Sequence, residues 1–139
     1  MIYVLDTNVV SELMKTACDE RVATYVDSLD PNAVFVTATT IAEVRYGLAR
    51  MPVGQRKADF ETAADGFFTM TEKRTLSFTP KSAIEYGLIA SAREALGRPI
   101  AIADAMIAAI GVEVKATLVT RNTKDFDHVS LVVINPWLQ

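Results

Sequence analysis

Several side chains on which catalytic and metal sites depend are nearly missing from this sequence. Cys18 is the only cysteine and His128 the only histidine. One cysteine excludes an internal disulfide and a cysteine metal cluster, and a lone thiol is typical of a reducing compartment. A lone histidine argues against a His-based triad or zinc site. The glycine-rich loop ending in lysine that holds nucleotide phosphates is absent as well.

An excess of basic charge and a long apolar run are missing too. The formal net charge is -3, which argues against nonspecific, charge-driven binding to nucleic acid. The most apolar stretch, residues 99–114, contains Asp104 and Glu113 and is too short to span a bilayer. The chain opens directly in an apolar strand pattern, without the features of an export signal. We therefore expect a cytoplasmic protein with no membrane attachment.

What the sequence does have is a high apolar content and a regular alternation of two patterns. Its 139 residues are 50% hydrophobic, which predicts a single compact domain over residues 1–139. Short apolar runs predict strands at 1–5, 33–37, 74–78, 115–120 and 131–134. Helical spacing predicts helices that begin at Thr7 and span 21–29, 39–50, 55–70, 81–96 and 102–114, with a turn or short helix at 122–127. This alternation predicts an α/β fold with a parallel sheet covered on both faces.

Asp6 follows the first predicted strand and precedes the first predicted helix. In open α/β folds, functional sites lie at the carboxyl ends of the strands, so Asp6 is a candidate site residue. The same position also suits a residue that only closes the strand or caps the helix after it. Both interpretations stay open from this residue alone.

Glu43 and Asp104 are the next candidate acids, and each has a structural alternative. Thr40-x-x-Glu43 matches a capping box, in which the Glu side chain accepts a hydrogen bond from the backbone N–H of the cap residue. Taken alone, this motif favours the cap. Asp104 lies in an Ala- and Ile-rich run, where burying an unpaired carboxylate is costly, although a place in the first helical turn lessens that cost. Its surroundings favour a functional role.

Asn122 and Asp125 follow the fourth predicted strand, which we place beside the first. Polar residues after a strand commonly form only a turn, yet here they could approach Asp6. Acidic side chains gathered at neighbouring strand ends repel one another and need bound cations to neutralise them. Oxygen ligands of this kind suit Mg²⁺ or Mn²⁺ rather than zinc.

Four short motifs, in this order, together resemble a PIN-domain ribonuclease of the VapC toxin type. They are Asp6-Thr7-Asn8, the helix start Thr40-x-x-Glu43-x-x-x-Gly47, Ala103-Asp104 in its Ala- and Ile-rich helix, and Thr120-Arg121-Asn122 before Asp125-Phe126. The closing Asn135-Pro136-Trp137 is most similar to the FitB-like branch. The resemblance covers essentially the whole chain.

The resemblance implies a three-layer α/β/α domain with strand order 3-2-1-4-5 that cleaves RNA phosphodiester bonds with Mg²⁺, or with Mn²⁺ as a substitute. Asp6, Glu43 and Asp104 match the three principal acids of the family, as metal ligands and catalytic residues. Asn122 stands where the family often has a fourth acid. Either Asn122 or Asp125 is expected to orient water or a second ion, so the departure at Asn122 bears on the second ion.

The resemblance also implies partners. Proteins of this type form homodimers and are held inactive by a small cognate antitoxin, itself a DNA-binding repressor, so that DNA is contacted only through the antitoxin. An apolar groove along the first helices and residues 51–68 would suit an antitoxin segment, although Phe60, Phe67 and Phe68 suit the core better.

Further polar residues have supporting roles in this interpretation. Thr7 and Thr120 are candidate hydrogen-bond donors to the carboxylates. Arg45, Arg121 and Lys124 are candidate contacts to the RNA backbone, and each equally suits a solvated surface.

Two other classes of protein do not fit the residues around Asp6. A haloacid-dehalogenase-like phosphatase needs a second Asp two residues after the first, where Asn8 stands, and a response-regulator receiver needs adjacent acids before Asp6. A catalytically silent PIN domain acting as a binding or scaffold protein is the remaining alternative. Asn122 favours the silent domain, whereas Asp6, Glu43 and Asp104 argue against it.

Overall fold

The computed structural model describes all residues, 1–139, and contains five strands and six α-helices. The strands are β1 (Tyr3–Leu5), β2 (Val34–Thr37), β3 (Thr75–Leu76), β4 (Thr117–Val119) and β5 (Val132–Ile134). The helices are α1 (Thr7–Leu13), α2 (Glu20–Asp27), α3 (Ala38–Arg50), α4 (Gln55–Met70), α5 (Pro80–Ala95) and α6 (Ile102–Glu113). Short 3₁₀ turns occupy Pro31–Ala33, Glu72–Arg74, Thr123–Phe126 and Pro136–Leu138.

The strands form one sheet in the order β3-β2-β1-β4-β5, and every neighbouring pair is parallel. β1 lies at the centre, with Val4 opposite both Phe35 of β2 and Leu118 of β4. The predicted α/β class, the parallel sheet and the strand order are therefore confirmed. All five strands end at the same edge of the sheet, which brings the residues after β1, β2 and β4 together.

Helices cover both faces of the sheet and produce three layers. Val4 and Leu5 are both fully buried but point to opposite faces, because side chains alternate along a strand. One core contains Leu5 with residues of α1 to α4, and the other contains Val4 with residues of α5 and α6. The continuous apolar runs of the strands are thus explained by burial on both sides.

Element boundaries lie within two residues of the predicted ones, and the largest differences in length are at β3 and β4, each three residues shorter than predicted. β4 was predicted over 115–120 but spans Thr117–Val119. β3 was predicted over 74–78 but has two residues, Thr75 and Leu76, at the edge of the sheet. Arg74 belongs to the preceding turn, and its side-chain Nε donates to the Val34 carbonyl at 2.9 Å. The side chain therefore takes an acceptor that a longer strand would bond through its backbone.

Individual residues explain where α5 ends and how the turn Pro136–Leu138 packs. α5 ends before Gly97, whose φ of +70° lies in the left-handed region that glycine adopts without steric cost. The unpredicted 3₁₀ turn at Pro136–Leu138 buries Trp137 in the core that contains Val9, Val10 and Val22.

No helix in the structure combines the length and apolar character needed to cross a bilayer.

Candidate active site

Asp6 lies at the carboxyl end of the central strand and is 3% exposed. Its Oδ1 accepts a hydrogen bond from the Thr7 backbone N–H at 2.8 Å, so it does cap α1. Its Oδ2 accepts from the Thr120 hydroxyl at 2.7 Å and from the Asn8 amide at 3.2 Å. Burial raises the pKa of Asp6 and the charge of Glu43 raises it further, while the Thr120, Thr7 and Asn8 hydrogen bonds oppose the rise. Asp6 therefore both caps α1 and contributes a carboxylate to the acidic pocket at the end of β1.

Glu43 reaches the pocket from the second turn of α3 and does not form the predicted capping box. α3 begins at Ala38, and its N-cap is Thr37, whose hydroxyl accepts from the Thr40 N–H at 3.1 Å. Glu43 is thus too far along the helix to return to the cap. Its Oε1 instead accepts from the Thr7 hydroxyl at 2.6 Å, across the interface between α1 and α3.

Asp104 is the third residue of α6 and lies half-buried at the start of the helix. Burial raises the pKa of Asp104 to about 6, and the charges of Asp6, Asp125 and Glu43 raise it in the same direction. The charge of Arg93 acts in the opposite direction. The four carboxylates thus share one electrostatic neighbourhood, as the position of the strand ends requires.

Asn122 and Asp125 occupy the turn after β4, and the structure distinguishes between them. Asn122 is exposed and makes no side-chain cap hydrogen bond, although its backbone N–H donates to the Thr120 hydroxyl at 3.1 Å. Asp125 is also exposed, but its charge acts on Asp104. Of the two, Asp125 is the acid that contributes to the electrostatics of the pocket.

The oxygen chemistry of this pocket fits a hard divalent cation. Its ligand atoms would be carboxylate oxygens, which hard cations prefer. Burial is the main cause of the raised pKa of Asp104 and the charges of Asp6, Asp125 and Glu43 add to it, so a bound cation would favour the charged form. No three acidic, histidine or cysteine side chains come close enough together to ligate one ion directly. A bound cation would therefore be reached in part through water, as Mg²⁺ prefers.

Asn8 is a pocket residue that the sequence analysis did not identify. Its Nδ2 donates to Asp6 and, at 3.1 Å, to the Thr120 hydroxyl, while its Oδ1 accepts from the Arg121 N–H at 3.0 Å. One amide therefore joins the ends of β1 and β4. The sequence signal that could have identified it is its place in the Asp6-Thr7-Asn8 motif. The predicted donors Thr7 and Thr120 are confirmed as donors to Glu43 and Asp6.

The three basic residues proposed as RNA contacts have different surroundings. Arg45 pairs with Asp65 at 2.8 Å and lies over the Phe68 ring, which ties it to α4. Lys124 is exposed in the turn after β4. Arg121 lies over the Trp137 ring, 5.0 Å from its centroid, while its backbone N–H is held by Asn8. Arg121 is thus the cation most closely attached to the pocket.

A groove with a volume of about 650 Å³ opens beside the acids. Thr7 and Glu43 line its inner end, and Met51, Val53 and Phe60 contribute apolar surface further out. Phe68 is buried in the core, and Phe60 and Phe67 pack against that core, as predicted. The groove predicted along the first helices and residues 51–68 therefore exists, with Phe60 on its wall.

Fold and site together define an α/β/α domain in which a parallel sheet has an acidic pocket at its carboxyl edge. The family profile described as PIN domain matches residues 3–131. The chain belongs to the PIN-domain family.

Known relatives and structures are similar to the chain over nearly its whole length. VapC ribonuclease Y4jK of Sinorhizobium fredii is 36% identical over 135 residues, which are 96% of this chain and 96% of the relative. Toxin FitB of Neisseria gonorrhoeae is 36% identical over 134 residues, with the same coverage of both chains. The structure of FitAB bound to an IR36 DNA fragment contains a chain with 35% identity and a TM-score of 0.89, matched over 98% of this chain and 96% of that one. The resemblance drawn from the motifs is confirmed.

Proposed function

We propose that this chain is an endoribonuclease and the toxin of a type II toxin-antitoxin module. The observation that carries the proposal is a group of four acids at the carboxyl edge of a PIN-domain sheet, whose charges act on Asp6 and Asp104. The four are Asp6, Glu43, Asp104 and Asp125. The near-full-length similarity to a protein named VapC ribonuclease and to one named Toxin FitB supports both the activity and the role.

In the proposed mechanism Asp6 and Asp104 hold a divalent cation, Mg²⁺ with Mn²⁺ as a substitute. Bound there, the cation supplies Lewis-acid polarisation of the phosphodiester and a nucleophilic water at neutral pH. The Thr120 and Asn8 hydrogen bonds fix Oδ2 of Asp6, so its carboxylate is oriented before any ligand arrives. Asp125 adds negative charge from the turn after β4 and would help to hold a second ion if one binds.

Glu43 is the proposed proton acceptor. Its Oε1 is occupied by the Thr7 hydroxyl, which leaves Oε2 to take the proton of the attacking water. Water attacks phosphorus, the bond to the leaving ribose oxygen breaks, and that oxygen is protonated from solvent. Arg121, stacked on Trp137, is placed to contact an adjacent phosphate of the RNA.

The cognate antitoxin is the proposed protein partner, and the groove beside Glu43 is its proposed docking site. An apolar segment would cover Met51, Val53 and Phe60, and a basic side chain at its inner end would neutralise the acids. A solved structure of FitAB bound to an IR36 DNA fragment supports a module that also binds DNA. Contact with DNA through the antitoxin is part of the proposal. Homodimer formation is part of the same proposal.

The decisive experiment is RNA cleavage by the purified chain, freed of any partner, in Mg²⁺ or Mn²⁺ and in EDTA. Asp104→Asn is prepared in parallel, with Asp27→Asn as the matched control, because Asp27 is an exposed acid at the end of α2. We expect cleavage that EDTA abolishes, that Asp104→Asn loses and that Asp27→Asn keeps.

The second candidate function is the catalytically silent PIN domain that serves as a binding protein. The amide at Asn122 and the absence of three directly converging ligands favour it. Its signature is a folded wild type that binds Mn²⁺ but cuts varied RNAs no faster than Asp104→Asn does. Such a result would replace the nuclease by the scaffold.

A further inference from the structure

Arg93 is a buried arginine that forms no ion pair with a carboxylate. It lies in the last turn of α5, is 4% exposed, and forms none of the ion pairs of the chain. Burying a guanidinium group is costly unless its donors are satisfied, so the contacts it makes must be specific.

The Arg93 donors are directed at backbone carbonyls from two segments. Its Nε donates to the carbonyl of Arg98 at 2.7 Å, just beyond α5. One terminal nitrogen donates to the carbonyl of Asp125 at 2.8 Å and to that of Asp127 at 3.1 Å. A single side chain therefore ties the end of α5 to the turn after β4.

That turn needs an anchor because its own conformation is unfavourable. His128, the residue after Asp127, has a φ of 62°, in the left-handed region that costs a non-glycine residue free energy. Phe126 is buried in the core at 2% exposure, and the two carbonyls bound by Arg93 flank it. The Arg93 side chain thus holds the turn from its buried side, while the Asp125 side chain stays exposed at the pocket.

We propose that Arg93 is a positioning residue that holds the Asp125 carboxylate beside Asp104 and thereby completes the cation-binding pocket. The inference rests on the proposed function. The turn Thr123–Phe126, which carries Asp125, packs against α6, the helix that carries Asp104, and Phe126 lies in the same core as Ile107 and Ala108 of α6. A planar guanidinium fork reaches carbonyls of separate segments at once, and a lysine ammonium at the end of a flexible chain does not.

The test compares Arg93→Lys, Asp125→Asn and the double variant in the full chain. Arg98→Gln is the matched control, because exposed Arg98 touches the same turn through Asp127 at 3.4 Å. Two readouts need no RNA: amide hydrogen exchange over residues 122–128 without metal, and Mn²⁺ affinity by titration calorimetry. Arg93→Gln, which removes the buried charge, is the second variant and is judged by the same outcomes.

We expect Arg93→Lys to accelerate exchange in the turn while α1 and α3 keep their protection, and to weaken Mn²⁺ binding by about tenfold. Asp125→Asn should weaken Mn²⁺ binding by about tenfold in the wild-type background and by less than about twofold in the Arg93→Lys background, because the two residues act as one unit. Arg98→Gln should change neither readout.

Equal effects of Asp125→Asn in the two backgrounds, or unchanged exchange of the turn in Arg93→Lys, would overturn this role for Arg93 alone. A wild type that binds no Mn²⁺ and cuts no RNA would overturn the proposed function and this role with it. The two failures are thus separated by the wild-type measurement.

Discussion

Asp104 is held in the pocket at a cost to stability. Its pKa is raised from 3.8 to about 6 because burial and three neighbouring acids disfavour its charge. Between these two values the folded chain binds a proton more readily than the unfolded chain does. In the metal-free protein the contribution of Asp104 to stability should therefore grow as the pH falls from 7 toward 4 and be lost as the pH rises through about 6.

Asp104→Asn should consequently stabilise the metal-free chain at pH 7, by about 1 kcal/mol after allowance for the solvent screening of a half-exposed group. It should also flatten the pH dependence of the thermal midpoint between pH 4 and 7, and it should abolish cleavage. Differential scanning calorimetry at several pH values measures the first two effects. A destabilised Asp104→Asn at pH 7 would contradict this account of the pocket.

The role of Thr7 depends on its hydroxyl group and not on the volume of its side chain. Thr7→Val keeps the side-chain volume but removes the donor to Oε1 of Glu43, so Glu43 loses its orientation. We expect the single-turnover cleavage rate to fall by about tenfold, or about 1.4 kcal/mol. Thr7→Ser, which keeps the hydroxyl, should cleave close to the wild-type rate. Equal rates for the valine and serine variants would show that the hydrogen bond has no role.

At the scale of elements, α3 depends on a cap inside the sheet. The Thr37 hydroxyl is fully buried at the end of β2 and accepts from the Thr40 N–H. Thr37→Ala should lower the free energy of unfolding by about 1–2 kcal/mol. Thr39→Ala, in the first turn of the same helix, should change it by less than about 0.5 kcal/mol. Urea unfolding measures both, and similar losses for the two variants would argue against Thr37 as the cap.

Sequence patterns predicted the elements better than their limits. The parallel α/β class followed from apolar runs that alternate with helical spacing, since each pattern has its own period. The choice between Thr37 and Thr40 as the cap depends on where β2 stops, and that is decided by its neighbours in the sheet. The short β3 has the same origin, because Arg74 bonds β2 through its side chain.

The candidate site shows the same division between local and long-range information. Asp6 and Asp104 were candidates from their positions in a strand and a helix, whereas Glu43, whose own motif favours a cap, was a candidate only through the family resemblance. Asn8 and Arg93 were not, because each acts on a segment distant along the chain: Asn8 on Arg121, and Arg93 on Asp125 and Asp127. Their side chains have no local pattern that predicts such partners.

At the scale of the whole molecule, the groove beside the pocket has an exposed apolar rim. Val53 is 95% exposed on that rim, so Val53→Asp removes no core contact. We expect it to weaken capture of the co-expressed cognate antitoxin by about tenfold or more. The thermal midpoint of the isolated chain should not change.

The matched control is Val132→Asp, since Val132 is also exposed, at 64%, but lies on the edge strand β5. Its capture should equal that of the wild type. Competition binding with purified proteins measures the effect. Equal weakening by both substitutions would point to a general loss of solubility instead of a docking surface.

The order of the strands along the chain has a consequence for the synthesis of this protein. β1 is synthesised before β4, with which it pairs. The hydrogen bond from the Thr120 hydroxyl to Asp6 can therefore form only after Thr120 has been synthesised. Trp137 lies in the same core as Val9 and Val10. A domain folds as a unit once its segments have left the ribosome, so a nascent chain that has not yet exposed Thr120 and Trp137 has no assembled pocket. The proposed nuclease would therefore become active only after these late segments have joined β1 and α1.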